Sequence, residues 1–233
     1  MTIITESPKN ILVEFLRNRL TDPRARAEAT NTETFNGGAT EYSLTPTSGN
    51  LSCITAITVT SVAQKKWKDY YIDFQNKKVI FFSTTASGTA NVSITYKQGT
   101  SNWIYPDKPK ESLSKESFPR ISIMQIGGTA QRIGQYNAPI EHIANFQIDL
   151  WVKEGYVVTI GTKKYHGDTL SEYLALKIFQ VIRQNVDDLY PIAYNVGVIS
   201  NIQDLPFDVD NELYHKVFNL EMSLINMGEI NDD

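Results

Sequence analysis

Apolar and polar positions alternate most regularly between Ala144 and Val152. Ala144, Phe146, Ile148, Leu150 and Val152 interleave with Asn145, Gln147, Asp149 and Trp151. A period of two predicts a strand with one buried face and one mostly polar face, and it suits an antiparallel sheet. Lys153-Glu154-Gly155 predicts a turn, Tyr156 to Ile160 a return strand, and residues 161–167 a polar loop. The period then lengthens. Leu170, Leu174, Ile178, Val181 and Ile182 fall on one helical stripe. Thr169 followed by Glu172 has the spacing of a capping box. A helix over about Leu170 to Asn185 results, and its stripe needs a sheet to cover it.

Similar patterning places the other elements. Ile11, Leu12, Phe15, Leu16 and Leu20 predict a helix from Asn10 to Leu20, stopped by Asp22-Pro23. Arg24 to Gly38 is polar and reads as a linker. From Ala39 to Gly99 short β-forming runs alternate with Gly, Ser, Thr and Asn clusters. Strands are expected near Glu41–Leu44, Ile54–Val62, Tyr70–Phe74, Lys78–Phe82 and Asn91–Tyr96. Residues 100–118 read as a second linker, with Trp103, Ile104 and Tyr105 as an aromatic patch ahead of Pro106 and Pro109. Strands follow over Arg120–Ile126, Arg132–Tyr136, Ala193–Ile202 and Leu213–Asn226, with an acidic loop at Gln203–Asn211.

The expected fold class is α+β, a mainly antiparallel sheet packed by helices, with an inserted small all-β domain, an Ig-like sandwich or a barrel. The expected domains are 1–30 plus 119–233 for the α+β part, 39–99 for the insert and 100–118 for the linker. Links between the late strands are too short for crossover helices, which favours antiparallel order.

Composition then narrows the function. The 233 residues are 41% hydrophobic, enough for a sizeable core, and 11% aromatic. A net charge of −4 gives no global attraction to nucleic acid. A lone cysteine, Cys53, rules out an intrachain disulfide and a multi-cysteine metal site. No apolar run is long enough for a membrane-spanning helix, and no signal peptide is expected. Synthesis in the cytoplasm is the default. Charge is uneven: from Asp187 onward ten carboxylates face one base, Lys216, for a local −9 that leaves +5 on the rest. Arg17, Arg19, Arg24 and Arg26 cluster near the N-terminus. These read either as solvated faces or as opposite-sign surfaces that meet between copies.

Candidate chemistry is sparse. His142, His166 and His215 share no ligand spacing, and the Asp204, Asp208, Asp210 and Glu212 loop lacks the central glycine of an EF-hand. No G-x-S-x-G motif and no phosphate-cradling glycine loop occurs. Catalytic residues, metal ligands and cofactors are therefore not expected, and the chain does not read as an enzyme. Contact residues are the alternative: Arg17, Arg19, Arg24, Arg26, Trp103, Tyr105, Trp151, Asp204, Asp208 and Asp210. Trp103 and Tyr105 read as packing back on a domain or as anchors for a partner. Trp151 marks the polar face of its strand.

From Arg120 onward the layout resembles the tail-terminator (tail-completion) proteins of tailed bacteriophages and archaeal tailed viruses. The resemblance rests on the strand Arg120 to Met124, the strand Asn145 to Val152, Tyr165-His166-Gly167-Asp168-Thr169-Leu170 leading into a helix, and the closing strand Phe218 to Met222. The helix Ile11 to Leu20 belongs to the same layout. Lys78 to Phe82, Ala86-Ser87-Gly88 and Val92 to Tyr96 resemble small β-domains of virion structural proteins. The resemblance implies a homohexameric ring in the neck of the virion, at the head-proximal end of the tail tube. That ring would end tube polymerisation and join tail to head connector. Implied partners are further copies of the chain, the tail tube protein, a head-tail connector or neck protein, and loosely the genomic DNA in the channel. No membrane partner is implied. Rival expectations are another neck, sheath-end or baseplate component, or a carbohydrate- or protein-binding module.

Overall fold

Sheet dominates the molecule. The structure, a computed structural model, describes residues 8–26, 29–66, 68–99, 102–108, 117–132, 140–185, 189, 193–196 and 201–226. Among them are two α-helices and several sheets, antiparallel apart from one short parallel pairing. The fold class is thus α+β. The chain divides into two compact units, one of Ile3–Arg24 with Trp103–Asp233 and one of Ala25–Asn102.

Helix α1 (Pro8–Arg19) opens the first unit. The Ala25–Asn102 unit then begins with β1 (Ala29–Phe35), a strand inside the stretch expected to be linker. Its Thr and Asn residues look like a loop, yet Thr is β-branched and suits a half-exposed edge strand. Next come β2 (Glu41–Ser43), β3 (Asn50–Val59), β4 (Val62–Ala63), β5 (Tyr70–Asp73), β6 (Lys78–Phe81) and β7 (Val92–Gly99). Two antiparallel sheets result, in the orders β1-β7-β3-β4 and β2-β6-β5. Their inner faces share one apolar cluster, with Ile57, Val92, Ile94 and Tyr96 from one sheet and Tyr42, Ile72, Val79 and Phe81 from the other. The strand expected over Ile54–Val62 breaks at Thr60-Ser61, where both residues take positive φ and Val59 pairs with Val62. That is the backbone of a two-residue hairpin turn. Cys53 is fully buried, as expected of a small hydrophobe inside a strand.

The first unit resumes with β8 (Ile104–Tyr105), β9 (Arg120–Arg132), β10 (Ile140–Lys153), β11 (Val157–Ile160) and β12 (Lys163–His166). Helix α2 (Gly167–Gln184), β13 (Ala193–Val196), β14 (Asn201–Asp204) and β15 (Leu213–Asn226) complete it. The main sheet runs β13-β15-β10-β9-β8, with β14 pairing elsewhere along β15. Strand β10 lies between β15 and β9, as its alternation requires. Phe146, Ile148, Leu150 and Val152 are fully buried on the face that meets α2, whose buried side chains include Leu170, Leu174, Ile178 and Ile182. Burying each of these large side chains contributes about 2 kcal/mol. Helix α1 packs beside α2 and along β9 and β8, and its Leu12 and Leu16 are fully buried.

Several expectations change here. The return strand after Gly155 pairs forward with β12, not back with β10. Gly161, at φ +62°, makes the turn between them, so the expected polar loop is half of a hairpin. Helix α2 starts earlier than the Thr169 cap implied. Thr169 is its third residue, and its hydroxyl bonds back to the backbone of His166. Strand β9 continues through Gly127-Gly128 to Arg132; a Cβ on Gly128 would sit 2.8 Å from the Ile143 carbonyl oxygen. The strand expected over Ala193–Ile202 is two strands, β13 and β14, and residues 197–200 between them lie outside the described residues, as do 133–136 of the expected Arg132–Tyr136 strand. The 100–118 linker contains β8, and Trp103 is 3% exposed, so Trp103 is core and not a contact anchor.

Candidate functional site

The face of the main sheet turned away from α2 is built from paired polar and aromatic side chains. Strand alternation puts Gln147, Asp149 and Trp151 there, opposite the apolar residues of β10. Register brings Arg120 and His215 to either side of Trp151, and Ser122 beside Asp149. The neighbour relation on β8 adds Tyr105 next to Ser122.

These neighbours hold one another tightly. The Asp149 carboxylate is 1% exposed. It accepts a hydrogen bond from His215 Nε2 at 2.7 Å and from Gln147 Nε2 at 3.0 and 3.1 Å. A carboxylate only accepts, so Nε2 of His215 carries a proton. The Trp151 ring stacks on the imidazole at 3.6 Å between centroids and 14° between planes. Its indole Nε1 is buried and has no hydrogen-bond partner among the described residues. On the other side Arg120, itself buried, donates to Asp107 Oδ1 at 2.6 Å and lies 3.7 Å above the Tyr105 ring. Arg120 Nε also reaches Ser122 Oγ at 3.4 Å.

Ser122, Asp149 and His215 do not form a nucleophile–base relay. Ser122 is on β9 and His215 on β15, so the central strand stands between hydroxyl and imidazole. Asp149 occupies the place between them. A relay needs the imidazole in the middle. The arrangement fixes side chains instead: hydrogen bonds and ring stacking hold Asp149, His215, Gln147 and Arg120 in place, with the Trp151 indole nitrogen as the exception.

A second cluster joins three elements on the opposite face. The Lys216 ammonium, buried on β15, donates to Glu172 of α2 at 2.6 Å and to Asp204 of β14. Burial pulls this ammonium down, but the two carboxylates together outweigh it and hold it above the ordinary lysine range. Asp208 closes the 208–211 turn by accepting from the backbone and side chain of Asn211, which keeps its carboxyl below the usual range. Asp210 is exposed. Of the four carboxylates from Asp204 to Glu212, Asp204 and Asp208 are held by hydrogen bonds, although Asp204 stays largely exposed, Glu212 lies 3.9 Å from Lys153, and Asp210 faces solvent. Among the described residues no His, Cys, Asp and Glu group could hold a metal ion, and no helix is long and apolar enough to cross a membrane.

The N-terminal arginines are not one surface. Arg17 donates from Nε and Nη2 to the Ile104 carbonyl at 3.0 and 2.6 Å, tying α1 to β8. Arg24 lies 4.9 Å above the Tyr156 ring and reaches the Phe118 carbonyl at 3.4 Å. Arg19 is exposed in the last turn of α1, where a cation suits the helix end. Arg26 belongs to the other compact unit. Two of the four are thus bound to main-chain carbonyls of their own unit.

Sequence reading picked out Tyr105 and Trp151 but missed Arg120, Asp149, His215 and Lys216. Asp149 and His215 are 66 residues apart in sequence, and only strand register makes them neighbours. The chain matches no family model, and no curated protein matches it.

Proposed function

We propose that this chain is a structural virion protein that forms a ring at the head-proximal end of a tail tube, ends tube polymerisation and joins the tail to the head connector. The observation that supports this most is the shape of the main sheet. Its longest strands, β9, β10 and β15, have 13, 14 and 14 residues. Fourteen residues of strand span roughly 46 Å. On β9 the buried residues end at Ile123, and Gln125 to Thr129 are exposed. A sheet that outruns its own core offers backbone and side chains to neighbours, which suits assembly better than substrate capture. Its face away from α2 adds a rigid aromatic surface, with Trp151 half-buried.

The Ala25–Asn102 unit, read as an inserted β-sandwich, serves as a further contact module. The acidic loop at Asp204 to Glu212, with Asp210 facing solvent, supplies negative charge for a basic neighbour. Arg17 and Arg24 are engaged by their own unit, which argues against a role for them in contact with DNA.

The test is assembly of tail tubes from purified tube protein with and without this chain. The reading expects tubes that stop growing when the chain is added, each capped at one end by a ring visible in negative stain. Tubes that grow unchanged, or bind the chain along their length, would replace it with a sheath-end, baseplate or separate binding role.

A further inference from the structure

We infer that the outer edge of β9 is the surface on which a second copy of this chain docks, by adding its own β13 as a strand. This rests on the ring reading and assigns the contact that would build the ring. Strand β8 pairs with β9 only at Ile121 and Ser122. From Ile123 to Arg132 the strand has no partner on that side among the described residues. An unpaired edge presents N–H and C=O groups at about every second residue, a template for another strand. Proteins that stay single guard such edges with lysine or proline. Between Arg120 and Arg132 there is neither, and no charge at all: the run is Ile-Ser-Ile-Met-Gln-Ile-Gly-Gly-Thr-Ala-Gln. One bulge interrupts it, at Ile126, which is skipped in the pairing with β10 and is 56% exposed.

The occupant follows from register and direction. Strand β13 forms the opposite edge of the same sheet and pairs only with β15 among the described residues. It meets β15 at Met222 to Leu224, which pair with β10 at Ala144 to His142. Those β10 residues in turn pair with β9 at Gly128 to Ala130. The open part of β9 and the free edge of β13 are thus level with each other across the sheet. Four antiparallel strands, β13-β15-β10-β9, separate the two edges. With an even number of strands, β9 of one copy and β13 of the next run in opposite directions when copies are related by rotation about an axis along the strands. The join is then antiparallel, the more stable pairing. Contacts of this head-to-tail kind close into rings when the rotation between copies divides a full turn, and give open filaments when it does not.

Site-directed cross-linking tests it. Thr129→Cys, Asn195→Cys and the double variant are treated with a short bis-maleimide, with the wild-type chain and its buried Cys53 as the background control. The double variant is expected to give a ladder of covalent oligomers, and each single variant no more than background. Adding Gln125→Lys and Thr55→Lys in separate variants supplies the check on specificity: the first, on the β9 edge, should disperse oligomers seen in native mass measurements, and the second, on the other unit, should not. A dimer from Thr129→Cys alone would overturn the assignment in favour of a two-fold β9–β9 contact. Rings in negative stain without cross-linking of the double variant would overturn it while leaving the ring reading in place. A chain that stays monomeric and uncross-linked would overturn it too, and the ring reading would then stand or fall on tube capping alone.

Discussion

Replacing Asp149 with alanine removes the one acceptor that fixes both His215 and Gln147. The carboxylate is 1% exposed, so water does not take its place without the face opening. A hydrogen bond to a charged group contributes about 1.5–3 kcal/mol. Gln147 is half-buried and recovers water after the change; His215, stacked under Trp151, recovers less. Counting the His215 bond in full and the Gln147 bond in part gives a loss of about 3 kcal/mol, within the range for breaking a buried pair. Asp149→Asn keeps shape and one acceptor oxygen and should cost about half as much. A double-mutant cycle isolates the pair: with His215→Ala, the two losses should overlap by about 2 kcal/mol. The assay is urea unfolding followed by amide hydrogen exchange, which reads β10 and β15 separately from the Ala25–Asn102 unit. A loss below about 1 kcal/mol for Asp149→Ala, or simple additivity in the cycle, would refute the idea that this pair braces the face.

Three further outcomes are expected. Gly167→Ala should destabilise the first unit by about 1–2 kcal/mol, since φ there is +40° and the new Cβ would lie 3.0 Å from the Tyr214 ring; a thermal melt of the variant measures it. Asp204→Asn leaves buried Lys216 with Glu172 as its remaining carboxylate partner in the cluster; because Asp204 is itself largely exposed, the cost should be only about 1 kcal/mol, with faster amide exchange in β14. The Tyr70 phenol is pushed up to about 12, chiefly by burial and then by the Asp69 charge. The unfolded phenol ionises near 10. Its contribution is therefore whole below pH 10 and is lost as pH rises to 12, up to about 2.7 kcal/mol at ~1.36 kcal/mol per pH unit. Near-ultraviolet absorbance titration should show Tyr70→Phe abolishing part of that alkaline loss.

Elements with a strong apolar period were legible. The alternation in β10, the stripe of α2 and the closing strand β15 each follow from side chains that must leave water. Strand β1 was not, because its Thr, Asn and Glu residues bury little and its pairing with β7 is settled by a distant strand. Strand β12 failed for the same reason: Lys163 and Lys164 look like loop until the turn at Gly161 pairs them with β11. The polar face shows the deeper limit. Alternation announced that Asp149 and Trp151 share a face, but which residues lie beside them depends on the registers of β9 and β15. A slip of one residue would place Lys216, not His215, beside Trp151. Trp103 was ambiguous because prolines and charges follow it, whereas its burial comes from the two-residue strand β8 next to it.

The central claim concerns place, so imaging intact tail particles that carry this chain tests it most directly. A tagged copy viewed by cryo-electron microscopy should appear as one ring between tail tube and head connector, with β9 of each copy against β13 of the next. Density for the chain at the distal end of the tail, along the tube, or nowhere in the particle would contradict the account.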